Sequence, residues 1–257
     1  MSDMTMNALD FLVQLLAGAL AFWYAGRFLR SDFESRRWAL FRWAALYTLV
    51  QFSFFTLTTE WKPYERFFAI VPHFALLFLL SGAFFAKDKF RQVFVAASFV
   101  SGWDILRFAV SPLAHAAFGA WGPAWAWAVN KAVELGVSAE TVLFLMQMTN
   151  DAAVFLIIAG CRAVQIGLLA LYLRGIVRFF PPKDYALRFH DSLFLLFPCA
   201  VALVLDLTVR MLALSADNSA LMLIYDRAPS TLLLLPLASL LLLGMVVSSV
   251  ALFLGLV

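Results

Sequence analysis

Asp104, Arg107, Arg162 and Asp206 stand deep inside stretches of this sequence that are otherwise apolar, with Arg210 one turn beyond Asp206. Their types permit ion pairing, recognition of a charged ligand, or proton transfer. Asp104 and Arg107 are three residues apart, and Asp206 and Arg210 four apart, spacings that put each pair on one face of a helix. His73 directly follows Pro72 and adds a group that ordinarily titrates near neutral pH. Trp121, Trp125 and Trp127 add indole rings of the kind that gather at a membrane–water interface. The candidate ligand-binding or switch residues are therefore Asp104, Arg107, Arg162, Asp206, Arg210, His73, Trp121 and Trp125.

Other chemistries lack their residues. There is no phosphate-cradling glycine loop, no His-Glu-x-x-His, and no Ser/His/Asp set on a nucleophile elbow. Glu34, Glu60, Glu65, Glu134 and Glu140 lie in or beside predicted loops, which argues against an intramembrane carboxylate hydrolase. His115 and His190 fall near opposite membrane faces, so no two histidines are placed to share a metal. Cys161 and Cys199 sit in apolar stretches and read as buried thiols. No catalytic residue, cofactor or metal is expected. The Arg188-Phe-His-Asp191 run has the look of a kinase phosphoacceptor, but it opens a membrane span with no soluble helix around it.

The elements that must position these residues follow from composition. The chain has 257 residues, 64% hydrophobic and 14% charged, with a mean hydropathy of +0.89. Soluble domains run at about 45–50% apolar and about 25% charged. A fold of this length cannot bury the excess in water, so lipid is the expected solvent and the bilayer the first partner. Crossing a core of about 30 Å takes about 20 helical residues. The apolar blocks predict an all-α, polytopic transmembrane helix bundle of about seven spans: about 9–29, 38–57, 67–86, 93–118, 152–173, 192–214 and 230–257. Ala17, Ala21 and Ala25 recur every fourth position in the first span and permit close helix approach.

Residues 119–151 form the longest connection, read as an extracytoplasmic interfacial segment with a short surface helix at Ala126–Leu135 and an N-cap at Ser138. One helix from Ala139 to Phe180 would run about 60 Å, twice the hydrocarbon thickness, so a break is expected near Thr149-Asn150-Asp151. Pro181-Pro182 closes the fifth span. Counting rise from the arginine-rich ends, Asp104 lies about 16 Å deep, Arg162 about 18 Å, Arg107 about 21 Å and Asp206 about 22 Å, one layer with both signs. An Asp104–Arg162 pair across two spans is the expected bridge. Structural ion pairs, a polar ligand pocket and a relay are the three readings of this layer.

Net charge is +3, but the cations cluster beside helix ends, which reports topology rather than nucleic-acid binding. The odd-numbered connections hold most Lys and Arg, among them Arg36, Arg37, Arg91, Arg174 and Arg178, whereas the even-numbered ones hold only Lys62, Arg66, Lys131 and Arg227. The expected orientation in a cell membrane is N-terminus out and C-terminus in. The first cation, Arg27, follows the first apolar run, so that run reads as a retained span, not a signal peptide. Val257 closes the chain within apolar sequence, which leads us to expect a cytoplasmic domain after it in the parent protein.

Two stretches carry a resemblance. Leu187-Arg-Phe-His-Asp-Ser-Leu-Phe-Leu-Leu-Phe-Pro198 is an acidic-then-apolar run reaching a proline, and Leu223-Ile-Tyr-Asp-Arg-Ala-Pro229 precedes Leu-rich sequence with Pro236. With the helix count and the inside C-terminus, these resemble the membrane sensor region of GHKL-type sensor histidine kinases of Gram-positive bacteria, the group that includes the accessory-gene-regulator peptide receptors. The resemblance implies detection of an extracellular peptide or small-molecule ligand, relay through the last helix to a cytoplasmic histidine-kinase domain not present in this chain, and action as a homodimer. No catalytic residue carries over. The alternatives are a small multi-pass transporter or permease component, and a scaffold without ligand.

Overall fold

The computed structural model describes residues 3–31, 33, 35–57, 69–85, 88–180, 188–215 and 231–256, which hold helices and turns and no strand. The helices are α1 Asp3–Phe28, α2 Arg36–Leu57, α3 Ile70–Phe84, α4 Lys89–Glu134, α5 Ala139–Phe179, α6 Phe189–Ser215 and α7 Thr231–Leu256. Five contain segments long and apolar enough to cross a membrane: Thr5–Phe28, Lys89–Val110, Glu140–Phe179, Phe189–Thr208 and Pro236–Phe253. The chain is a multi-pass membrane protein on that composition. α3 is apolar but shorter, and Arg42 and Gln51 interrupt the apolar run of α2. The predicted connections 58–66, 181–187 and 216–229 lie outside the described residues.

Ring and hydrogen-bond contacts fix the helix directions. Phe28, at the end of α1, meets Phe180 at the end of α5 with centroids 4.4 Å apart, and Arg91 Nη1 at the start of α4 donates to Phe28 O at 3.2 Å. Phe90 and Phe189 join the starts of α4 and α6, and Phe194 joins early α6 to Phe253 in late α7. The ends of α1, α5 and α7 therefore share one face of the bundle with the starts of α4 and α6.

Helix α4 is the hub, packing against α1, α3, α5, α6 and α7. Lipid supplies no hydrophobic drive between helices, so association rests on close packing and interhelical hydrogen bonds. Small residues supply the closeness. A Cβ on Gly102 would stand 2.5 Å from the Tyr172 ring of α5, and one on Gly18 would stand 2.8 Å from the Tyr47 ring of α2. Ala17, Ala21 and Ala25 are fully buried, as their spacing predicts. Hydrogen bonds supply the rest: Tyr24 Oη pairs with Ser98 Oγ at 2.7 Å, and Tyr172 Oη donates to Ser98 O at 3.2 Å. Ser98 thus ties α1 and α5 to the hub.

The two long helices depart from expectation. α4 has 46 residues and α5 has 41, lengths of about 69 and 62 Å. The predicted fourth span and the predicted surface helix at 126–135 merge into α4, which continues through Pro112 and Pro123. The break expected at Thr149-Asn150-Asp151 is absent. Asn and Asp are only mildly unfavourable inside a helix, and Thr149 Oγ1 turns back onto Met146 O at 3.4 Å. Residues 119–151 are therefore a helical hairpin rather than an irregular connection. Its turn is locally built: Gly136 takes φ +78°, Gly136 N donates to Val133 O and Val137 N to Ala132 O, the paired bonds of a Schellman cap. Ser138 then caps α5, accepting from Thr141 N at 3.3 Å, as predicted. Between residues 111 and 151, Val142 is the buried side chain among those described. The hairpin is an arm extending beyond the helices that form the core.

Candidate functional site

The arm joins the core where α1, α2, α4 and α5 meet. On α1, Asp10 and Gln14 continue the stripe of Ala17, Ala21, Tyr24 and Phe28, which turns both polar side chains toward the protein. On α5, Arg162 lies on the face that reaches α1. Its Nη2 stands 3.3 Å from Asp10 Oδ1, an ion pair spanning 152 positions of sequence. Its Nη1 donates to Gln165 Oε1 at 3.2 Å, one turn along the same helix. The guanidinium fork therefore serves two acceptors on two helices.

Asp10, Gln14 and Arg162 line a cavity of about 10 Å³ together with Val13, Phe52 of α2, and Trp103 and Arg107 of α4. That is about the space one water molecule requires. The lining carries two guanidinium groups against one carboxylate, so the wall favours an anionic or strongly hydrogen-bond-accepting group. Gln14 Oε1 is buried there without a hydrogen-bond partner among the described residues, as is Gln165 Nε2 one turn from Arg162. An unsatisfied buried amide is costly, and such groups mark places where contacts are incomplete. Asp10 and Arg162 keep 20% and 24% of their side-chain surface exposed, so the pair remains reachable from outside the protein.

The structure brings together only part of the expected layer. Arg107 and Arg162 share the cavity wall. Asp104 is half-buried on α4 but does not line the cavity, and the ion pair of Arg162 goes to Asp10 rather than across to Asp104. Asp206 is 2% exposed within α6 and also stands outside the cavity lining. The side chain of Arg210 lies outside the described residues. His73 is a packed core residue: Tyr47 Oη and His73 Nε2 are 2.9 Å apart, and the imidazole meets Phe99 edge-on. Trp121 and Trp125 stack at 5.6 Å with 14° between planes, one turn apart on the arm. They sit about 21 Å or more along α4 from Arg107.

Asp10 and Gln14 are the residues that sequence reading missed. The usable signal was their i, i+4 spacing in register with the alanine stripe, which places them on the buried face. Among the described residues, no group of three His, Cys, Asp or Glu side chains could hold a metal ion. Cys161 is half-buried and Cys199 buried, both as free thiols. Comparison with protein-family models, curated protein sequences and solved structures found no match.

Proposed function

We propose that this chain is a sensory domain of a cell membrane, crossing it seven times with the N-terminus outside, in which the α4–α5 arm receives an extracellular ligand. The face shared by the ends of α1 and α5 and the starts of α2 and α4 carries Arg27, Arg36, Arg37, Arg91, Arg174 and Arg178, and the tip of the arm carries Lys131. Lys and Arg favour cytoplasmic ends, which supports an outward-pointing arm.

The observation that carries the reading is the Asp10–Arg162 pair at the root of that arm. Both helices of the arm bring an arginine to the pair's cavity, Arg107 from α4 and Arg162 from α5. A ligand that binds one arm position better than another shifts the population between them. Helix α5 then carries the shift inward, because Gly175 lies against Val247 of α7, where an added Cβ would stand 3.3 Å from the valine. The output passes through α7, and the resemblance to GHKL-type sensors names a histidine kinase as the recipient. That recipient, the ligand and a homodimeric assembly rest on the resemblance, and the proposed relay to α7 rests on the contact of Gly175 with Val247.

Thiol labelling distinguishes this from a permease. With Cys161 and Cys199 replaced by Ser and Ala, a cysteine introduced at Gln14, which is half-buried, should react with a membrane-impermeant reagent from the outer face alone. Reaction from both faces means alternating access and overturns the sensory reading.

A further inference from the structure

The bundle face opposite the arm holds a second charged feature, unconnected with the cavity. Arg27 of α1 and Arg174 and Arg178 of α5 converge on an open groove of about 580 Å³, with Trp23 and Val177 as its apolar wall. Trp23 and Arg27 are one turn apart on α1, as are Arg174 and Arg178 on α5, so two parallel helices present facing ridges. The Arg27 guanidinium lies 5.6 Å from the Trp23 ring centre, and that of Arg178 lies 5.6 Å from the Phe179 ring centre.

Charge compensation differs between the groove and its surroundings: Arg91, on the same face, pairs with Asp88 at 3.1 Å. Arg162 is neutralised by Asp10 and Lys131 by Glu134, whereas no carboxylate among the described residues pairs with Arg27, Arg174 or Arg178. Three like charges around one groove repel unless an anion joins them. Guanidinium groups fit phosphate oxygens in bidentate fashion. The indole and the valine give the same groove an apolar side. These arginines stand in the last two turns of two helices long and apolar enough to cross a membrane, where a span's ends meet lipid headgroups.

We propose that the Trp23–Arg27–Arg174–Arg178 groove binds the phosphate of an anionic phospholipid, with an acyl chain running along Trp23 and Val177. The site holds α1 and α5 together at the face remote from the Asp10–Arg162 pair, and it stands whether or not the sensory reading does.

Native mass spectrometry of the full chain, released from micelles holding equal amounts of phosphatidylglycerol and phosphatidylcholine, tests this. The wild type should retain phosphatidylglycerol preferentially. Each of Arg27→Gln, Arg174→Gln and Arg178→Gln should lower that preference about fivefold, the effect expected of one basic residue near an anionic surface. Arg37→Gln combined with Lys89→Gln and Arg188→Gln removes three charges from the same face outside the groove and should leave the preference standing. Equal retention of both lipids by the wild type overturns the proposal without need of any variant. So does an equal loss in the control triple. Displacement of the lipid by millimolar inorganic phosphate would assign the groove to a soluble anion and overturn the lipid assignment.

Discussion

Neutralising Asp10 should expose how much the first and fifth helices depend on each other. At 3.3 Å, the gross attraction between Asp10 and Arg162 is about 5 kcal/mol with an effective dielectric constant near 20. Desolvation offsets much of it, and the retained exposure of 20% and 24% keeps both groups partly hydrated. Removing one member still strands the other. Asp10→Asn or Arg162→Gln alone should therefore destabilise by about 3 kcal/mol, the low end for a buried pair losing one partner. The double variant should cost clearly less than the sum, with a coupling of about 1–3 kcal/mol. The exchange Asp10→Arg with Arg162→Asp should recover part of the loss. Reversible unfolding by SDS in mixed micelles, followed by tryptophan fluorescence, gives the four free energies of the cycle. Additive single effects, within about 0.5 kcal/mol, would show that the two side chains do not sense each other and would remove the basis for their pairing at the root of the arm.

Three further substitutions probe the framework around it. Gly102→Val places a branched side chain against the Tyr172 ring, where even a Cβ would stand at 2.5 Å, and should cost about 1–3 kcal/mol in the same unfolding assay. Gly136→Ala must hold φ +78° with a Cβ, so the arm's turn should lose about 1–2 kcal/mol, seen as faster amide exchange confined to the turn. Ser98→Ala leaves the buried Tyr24 hydroxyl without its 2.7 Å partner and should cost about 1–2 kcal/mol, most of which Tyr24→Phe added to it should restore. Failure of that restoration would mean that Ser98 acts through its packing instead.

The parts of the fold written as local pattern were legible. Apolar blocks gave the helical membrane class, Ala17, Ala21 and Ala25 announced a close contact, and Ser138 announced a cap. The parts that depend on distant segments were not. Asp10 reads as the mouth of the first span, and nothing local to it says that Arg162 will arrive 152 positions later. Arg91 reads as one more loop cation, yet it is 2% exposed, its guanidinium donating to Phe28 O at the end of α1 and pairing with Asp88. The arm was hidden for a different reason. Trp121, Trp125 and Trp127 carry an interfacial signal, and the helical spacing of Trp121 and Trp125, which stack one turn apart, was the weaker cue beneath it. At His73 the sequence offered a packing residue or a switch beside Pro72, and the Tyr47 hydroxyl and the Phe99 ring fill the packing position.

The most direct test of coupling between arm and last helix is a distance distribution. Spin labels at Trp127→Cys on the arm and Leu252→Cys on α7, both exposed positions, can be read by double electron–electron resonance with the native cysteines replaced. If the Asp10–Arg162 pair holds the arm in one of two packings, Asp10→Asn will move population into a second, discrete distance. A single distribution unchanged by Asp10→Asn, in a protein that has lost stability, would show the pair to be a structural brace and would contradict the relay.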